Sequence, residues 1–223
     1  MLTFAITTST KLASISLFED DIILGNININ VVKTHSTTIV DQVKKLFEWS
    51  GKNINEVNTV ILSKGPGSFT GVRIAMAFIK GMYSMSNNVE LYTVCELDAL
   101  YYMAKDLAPV IVSGIDSRKG KIYYNVHING VKEVEDGIGN IYEVIEDMKK
   151  YDMPIVYSGD IANNYKDDIV HDKLVKTNKN MFLIDSRVYY DMYKNGLLKK
   201  EDFASVVPYY LEKSQAEKDY KGE

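Results

Sequence analysis

The most specific chemical signal in the sequence is the stretch 64–73, which reads K-G-P-G-S-F-T-G-V-R. An apolar run at residues 59–62 precedes it and a helix-forming series follows, so the pattern predicts a strand, a tight glycine turn and a helix. Gly65 and Gly67 permit positive φ, and the N–H groups from Ser68 onward then lie at a helix N-terminus that suits a phosphate. These three residues are possible nucleotide contacts. The turn could equally serve only to begin the helix sharply, and the sequence leaves both interpretations open.

The helix that follows the glycine turn carries a second possible function, partner binding. At about 100° per residue, Arg73 and Lys80 share a narrow polar stripe, and apolar residues cover most of the remaining surface. Such a helix needs cover on more than one side, either from its own chain or from a partner subunit. The predicted interface residues, on this helix and on an amphipathic helix predicted for residues 36–50, are Ile39, Val43, Phe47, Phe69, Thr70, Arg73, Met76, Ala77, Lys80 and Gly81. Among them Thr70, Ala77 and Gly81 form a strip of small residues on which another helix could pack closely.

Other residue types that carry chemistry do not form a complete catalytic site in this sequence. His35 could act with Ser68 or Cys95, but no pattern places a base beside a nucleophile and an orienting acid. Cys95, the single cysteine, is expected in the core because no basic neighbour lowers its thiol pKa. Asp116 and Arg118, in a turn after a predicted strand, remain candidates for a nucleotide or partner contact. We therefore predict no catalytic residue.

Composition and charge exclude several classes of protein. The 223 residues are 46% hydrophobic and 25% charged, which is enough for one large or two small globular domains. A net charge of −4 argues against a protein that holds nucleic acid by its own electrostatics. No apolar run is long enough to cross a bilayer, and the N-terminus lacks the pattern of a signal peptide. We expect a cytoplasmic protein without membrane contact.

Hydrophobic periodicity predicts the elements that position these residues. For residues 1–106 it predicts strands at 3–6, 13–18, 22–32, 59–62 and 91–94 and helices at 36–50, 69–85 and 96–104. For residues 107–223 it predicts strands at 109–115, 121–128, 131–134 and 155–158 and helices at 141–149 and 186–193, with an Asn129-Gly130 hairpin turn. The second half repeats the first in degenerate form. The sequence therefore predicts an α/β protein of two related lobes, with the second lobe reduced.

Three motifs resemble those of the TsaB (YeaZ) family, a bacterial subunit of the machinery that makes threonylcarbamoyladenosine in tRNA. They are S-K-G-P-G-S-F-T-G-V-R-I at residues 63–74, the turn Asp116-x-Arg118-x-Gly120, and V-P-Y-Y-L at residues 207–211. The resemblance implies the actin-like ATPase (ASKHA) fold. It also implies a non-catalytic subunit that pairs with TsaD, and with the ATPase TsaE, in the complex that transfers threonylcarbamoyl to N6 of adenosine 37 in tRNAs reading codons that begin with A. Contact with tRNA would be indirect, and a homodimer is expected when TsaD is absent.

At two places this sequence departs from the patterns that the resemblance implies. Catalytic members of the fold carry an Asp in the first turn that holds the nucleotide's metal through water, and the TsaB family usually has D-T-S-T there, whereas this chain has Thr7 at that position. TsaD carries two metal-binding histidines where this chain has Glu96 and Leu100. A hydroxyl is a poor ligand for a hard divalent cation, and leucine is no ligand at all. We therefore expect no metal and no resident cofactor, with ATP or ADP at a subunit interface as one remaining possibility. The alternative function is a nucleotide-dependent enzyme of this fold, either a kinase or a protease-like protein.

Overall fold

Two mixed β-sheets form the fold, with one helical layer between them and another on each outer face. The computed structural model describes residues 1–30, 38–178 and 181–212. In chain order its first elements are β1 (Leu2–Thr7), β2 (Leu12–Glu19), β3 (Ile22–Asn30), α1 (Ile39–Ser50), β4 (Val57–Ser63), α2 (Phe69–Tyr83), β5 (Glu90–Val94) and α3 (Glu96–Ala104). There follow β6 (Val110–Asp116), β7 (Lys121–Ile128), β8 (Val131–Asn140), α4 (Ile141–Met148), β9 (Ile155–Ser158), α5 (Ile161–Asn164), α6 (Ser186–Lys194) and β10 (Lys199–Glu201).

The strand order confirms the predicted pair of related lobes. The first sheet has the order β10-β5-β4-β1-β2-β3 and the second has β8-β7-β6-β9, which repeats β3-β2-β1-β4 strand for strand. In each repeat two antiparallel pairings are followed by one parallel pairing, β1 with β4 and β6 with β9. Within the described residues the second sheet has no counterpart of β5, so the second lobe is reduced. The predicted actin-like α/β fold is therefore confirmed.

Burial explains why most strands and helices could be predicted. Almost every residue of β1 and β4 is buried because helices cover both faces of the first sheet, and such strands read as continuous apolar runs. Helices α1 and α2 pack on its outer face, and α3 and α6 fill the space between the sheets. Helices α4 and α5 cover the outer face of the second sheet. No helix in the described ranges is long and apolar enough to cross a bilayer.

Three features differ from the predicted elements. Helix α5 and strand β10 were not predicted, and β8 continues to Asn140 rather than ending at residue 134. Strand β10 has the sequence Lys-Lys-Glu, and its extended form depends on antiparallel pairing with β5, which lies far away in the sequence. The predicted end of the third strand and the predicted helix start at residues 36 and 37 lie outside the described residues, as does His35.

The last part of the chain returns to the first lobe. Helix α6 packs against β1 and β2, and the hydroxyl of Ser186 at its first residue bonds to those of Ser14 and Ser16. Strand β10 then extends the first sheet beyond β5. The predicted domain division between residues 106 and 107 stays a prediction, and residues after 182 contribute to the core that joins the two sheets.

The start of α2 approaches the turn between β1 and β2 so closely that side chains are excluded. A Cβ atom added to Gly71 would lie 1.9 Å from the carbonyl oxygen of Thr8, and one added to Gly67 would lie 2.3 Å from that of Ser9. Both obstacles are backbone atoms of a buried turn, so neither can move aside cheaply. Further along α2, Gly81 has nothing within 4 Å of its added Cβ.

Gly71 and Gly81, both within α2, give a matched test of this close packing. Gly71→Ala should lower the free energy of unfolding by about 3 kcal/mol or more, because two buried backbone segments must separate. Gly81→Ala should raise it by about 0.5 to 1 kcal/mol, because alanine favours a helix interior and meets open space. Urea unfolding followed by circular dichroism measures both. Similar effects of the two substitutions would contradict the close approach.

Candidate functional site

The glycine turn is in contact with the chain's own backbone. The N–H of Ser68 donates to the carbonyl of Ser9 at 2.7 Å, and the N–H of Gly71 donates to the Ser68 hydroxyl at 3.2 Å. Ser68 is therefore the N-cap of α2. Gly65 and Gly67 both have positive φ, at 97° and 157°. Two of the N–H donors predicted to bind an anion are thus engaged within the chain.

The C-terminal segment is anchored on the same turn. The N–H of Tyr209 donates to the carbonyl of Lys64 at 2.7 Å. The neighbouring Tyr210 stacks on Phe69 with ring centroids 4.6 Å apart, and its hydroxyl accepts from Nε of Arg73 at 2.5 Å. The segment with the V-P-Y-Y-L sequence therefore fixes the first turn of α2 and orients the exposed Arg73 guanidinium.

A fully buried carboxyl group lies beside the glycine turn, at the N-terminus of α3. Glu96 is 0% exposed, and its Oε1 accepts from the hydroxyl of Thr7 at 2.6 Å and also from that of Ser9. Its Oε2 accepts from the hydroxyl of Tyr189 at 2.5 Å. We call these four residues the Glu96 cluster. A buried carboxylate needs such donors, and the helix N-terminus adds favourable partial charge.

The cluster changes the interpretation of two predicted positions. Glu96 stands at the position of one TsaD histidine, but its carboxyl group is surrounded by the hydroxyl groups of Thr7, Ser9 and Tyr189. Leu100 is buried in the apolar core between the sheets. Burial also raises the pKa of Tyr189 well above its ordinary value, so the phenol keeps its proton and donates to Glu96.

Asp116 stabilises its own turn and the short helix α5. Its carboxylate accepts from the N–H of Arg118 at 2.8 Å, from the Tyr165 hydroxyl at 3.1 Å and from the Asn164 amide at 3.0 Å. Its own N–H donates to the carboxylate of Asp160 at 2.7 Å. Asp116 and Arg118 are thus joined within their own turn, through the backbone N–H of Arg118.

A cavity of about 300 Å³ lies between the lobes, next to this turn. Its lining residues are Thr10, Lys11, Leu12, Asn30, Ile115, Asp160, Asn163, Asn164, Phe182, Leu183 and Ile184. The predicted nucleotide contacts Gly65, Gly67, Ser68, Asp116 and Arg118 are not among the residues that line this cavity. Their contact with a nucleotide stays a prediction.

A second cavity, of about 510 Å³, contains an ion cluster that sequence reasoning missed. The ammonium of Lys132 lies 2.8 Å from Asp98 and 3.0 Å from Asp136. The Cys95 thiol donates to Asp136 at 3.4 Å, and burial raises the thiol pKa well above its ordinary value. Ligating atoms of Cys95, Asp98 and Asp136 lie within 4.8 Å of one another, but Lys132 already supplies positive charge there. In the sequence, only Lys132 and Asp136, which are four residues apart on β8, could have indicated this cluster. Cys95 and Asp98 lie at the start of α3, far from β8 in the sequence.

The predicted partner-binding residues divide into two groups. Four of them, Ile39, Val43, Phe47 and Met76, are buried in the core beneath the first sheet, so the chain's own sheet covers them and their contact with a partner stays a prediction. Helical periodicity identified them as apolar but did not show that the chain's own sheet covers them. Thr70, Arg73, Ala77 and Gly81 are exposed, and Phe69 and Lys80 are half-buried. The second group remains available to a partner, and binding there stays a prediction.

Exposed apolar side chains lie close to this second group in the sequence. Met82 is 41% exposed and Met85, just beyond the end of α2, is 96% exposed. Trp49, the single tryptophan, is 73% exposed in the last turn of α1, which packs on the same sheet face. Sequence reasoning had not singled out these residues for an interface.

Comparisons with known proteins agree on one family. A family model described as TsaD, tRNA N6-adenosine threonylcarbamoyltransferase, matches residues 23–219. The tRNA threonylcarbamoyladenosine biosynthesis protein TsaB of Bacillus subtilis is 26% identical over 170 residues, which cover 74% of each chain. TsaB of Escherichia coli is 28% identical over 122 residues, which cover 54% of this chain and 52% of that one. The structure of YeaZ from Pseudomonas aeruginosa has a TM-score of 0.72 at 19% identity over 94% of this chain and 99% of that one, and so has the same fold.

Asp160, in the cavity between the lobes, should make stability depend on pH. Burial raises its pKa from 3.8 to about 6 in the folded chain. Between pH 4 and pH 6 the Asp160 side chain holds a proton in the folded chain but has released it in the unfolded chain. Its contribution to the free energy of unfolding is therefore fully present below pH 4 and is lost as the pH rises through 6. Asp160→Asn keeps an oxygen for the N–H of Asp116 and removes the titration. Relative to the wild type, its free energy of unfolding should increase by about 2 to 3 kcal/mol from pH 4 to pH 7.

Urea unfolding at a series of pH values measures this difference. The exposed Asp167, exchanged for Asn, is the control and should leave the pH dependence of the wild type nearly unchanged. A parallel pH profile for Asp160→Asn and the wild type would show that Asp160 titrates normally.

Proposed function

This chain belongs to the family that the TsaD model describes and, within it, to the TsaB proteins, and we propose that it is a non-catalytic subunit that activates TsaD. The family has a role in the biosynthesis of threonylcarbamoyladenosine in tRNA. In our proposal the chain pairs with TsaD, TsaE acts on the resulting complex, and the complex transfers threonylcarbamoyl to the tRNA adenosine. The single observation that carries the proposal is the exposed strip of small residues on α2.

The strip formed by Thr70, Ala77 and Gly81 has the properties of a helix-packing surface. All three residues are exposed, and the space beside Gly81 is open. Small side chains let the backbone of a second helix approach closely, while the exposed Arg73 and Met82 beside the strip supply longer contacts. The opposite face of α2 is buried against the first sheet, so the helix cannot turn the strip inward. This arrangement supports a rigid docking face for another helix.

The chemistry of the first turn supports an accessory role. Thr7 stands where catalytic members of the fold carry Asp, and its hydroxyl is used within the Glu96 cluster. In the cavity next to α3, Lys132 forms ion pairs with both carboxylates, and Cys95 stays a thiol. These side chains stabilise the fold through hydrogen bonds and ion pairs. We therefore assign the transfer reaction to TsaD.

Charge supports indirect contact with tRNA. The chain carries 30 acidic and 26 basic residues, and a protein that neutralises phosphates needs an excess of lysine and arginine on one face. In our proposal another subunit binds the tRNA, and this chain binds that subunit.

The same strip can pair two copies of the chain. A two-fold axis across α2 would place the small residues of one copy against those of the other, as an isologous interface requires. In the proposed sequence of events TsaD replaces the second copy. The homodimer and the complex with TsaD then exclude each other.

Substitutions in the strip test this function. Ala77→Arg and Gly81→Leu place long side chains where a partner helix must approach, so each should weaken binding of TsaD about 30-fold or more. Both residues are exposed, so the fold should remain. Glu143→Arg, at an exposed position on α4 of the second lobe, is the control and should bind as the wild type does.

Binding can be followed with the chain's own fluorescence, because Trp49 is its single tryptophan and is largely exposed. TsaD lacking tryptophan is titrated into each variant, and light scattering after size-exclusion chromatography gives the mass of each species. A wild-type chain that stays monomeric at high concentration and does not bind its cognate TsaD would refute the proposal.

A further inference from the structure

The Glu96 cluster joins four parts of the fold through one carboxyl group. Thr7 ends β1, Ser9 lies in the turn that follows it, Glu96 begins α3, and Tyr189 lies in the middle of α6. None of the four is more than 1% exposed. The N–H of Glu96 also donates to the carbonyl of Gly65 at 2.9 Å, which ties the cluster to the glycine turn.

The actin-like fold implies a divalent cation and a nucleotide near the end of β1, and the residues present do not fit that group. The Thr7 hydroxyl donates to Glu96 rather than facing the cavity between the lobes. Both carboxylate oxygens of Glu96 accept from protein hydroxyls, and no part of the residue is exposed. Hydrated Mg²⁺ is usually held through carboxylates that its waters can reach. The carboxyl group at this end of β1 is closed off from such waters.

We infer that positions 7 and 96 are coupled, so that only one of them can carry a carboxyl group, and that Glu96 uses it to fasten α3 and α6 to β1 instead of holding a metal-bound nucleotide. The coupling follows from distance. The side chains of Thr7 and Glu96 are already in contact at 2.6 Å, so an Asp at position 7 would place a second carboxylate against the first without water. Two carboxylates that share a buried site repel each other, and one must take up a proton.

A threonine at position 7 suits the buried carboxyl group of Glu96. With Glu96 present, a hydroxyl donor at position 7 satisfies the buried carboxylate, and Ser9 and Tyr189 complete its hydrogen bonds. An additional acceptor at position 7 would leave both carboxyl groups short of donors. The hydroxyl donor at position 7 therefore complements the carboxylate at position 96. A substitution at one of these positions is expected to require a substitution at the other.

Four variants of nearly equal shape separate charge from size. Thr7→Asp adds a second carboxylate, and Thr7→Asn adds the same volume without charge. Glu96→Gln removes the existing carboxylate, and the double variant Thr7→Asp with Glu96→Gln moves the single carboxylate from position 96 to position 7. At pH 8 the thermal midpoint of Thr7→Asp should lie about 10 °C below that of Thr7→Asn. The double variant should recover most of this loss.

Lowering the pH gives an independent readout. At pH 5 the difference between Thr7→Asp and Thr7→Asn should shrink, because the carboxyl pair shares a proton. Equal midpoints for Thr7→Asp and Thr7→Asn at pH 8 would overturn the coupling. A double variant no more stable than Thr7→Asp, or failure of all variants to fold, would also overturn it, because size rather than charge would then decide.

Nucleotide titration tests the metal part of the inference. The wild-type chain and Thr7→Asn should bind ATP with the same affinity, within about two-fold, in the presence and absence of Mg²⁺, as measured by calorimetry. Undetectable ATP binding both with and without Mg²⁺ would agree equally well with the inference. A tenfold or larger increase in ATP affinity with Mg²⁺ that disappears in Glu96→Gln would show that Glu96 does serve a metal, and the inference would be wrong.

Discussion

The fold depends on one contact between two backbone segments, the glycine turn and the turn between β1 and β2. No side chain fits between them, since an added Cβ at Gly71 would lie 1.9 Å from the carbonyl oxygen of Thr8. The contact sets where α2 begins above the first sheet. It also leaves the carbonyl groups of Lys64 and Gly65 free to accept from the C-terminal segment and from the first residue of α3. One close approach thus positions a helix, a buried carboxyl group and the end of the chain.

The fold could be predicted from sequence wherever a pattern is local. Apolar runs identified β1 and β4, helical spacing identified α1 to α3, and the glycine spacing identified the tight turn before α2. Strand β10 escaped prediction because its three residues are charged and its pairing with β5 is remote in sequence. Periodicity also separated the faces of α2 without showing which face the sheet would cover, and so Met76 and Ala77 were assigned to the same interface.

The site was harder to predict because its bonds join distant residues. Thr7 and Glu96 are 89 positions apart, and neither residue by itself indicates that a buried carboxyl group meets three hydroxyls. The family resemblance suggested an absent metal ligand at position 7, whereas the structure shows a carboxyl group that reaches the same place from α3. The ion cluster of Asp98, Lys132 and Asp136 was missed for the same reason, since α3 and β8 meet only in the folded chain.

The return of the chain to its first lobe has a mechanical consequence. The polypeptide passes from the first sheet to the second after α3 and comes back before α6, and these two helices pack against each other between the sheets. Swinging one lobe away from the other would have to pull the second sheet off α3, against which β6, β7 and β9 pack. Opening the lobes would therefore expose apolar residues that both sheets contribute to the core around α3 and α6, and the cost of exposing them to water opposes the motion.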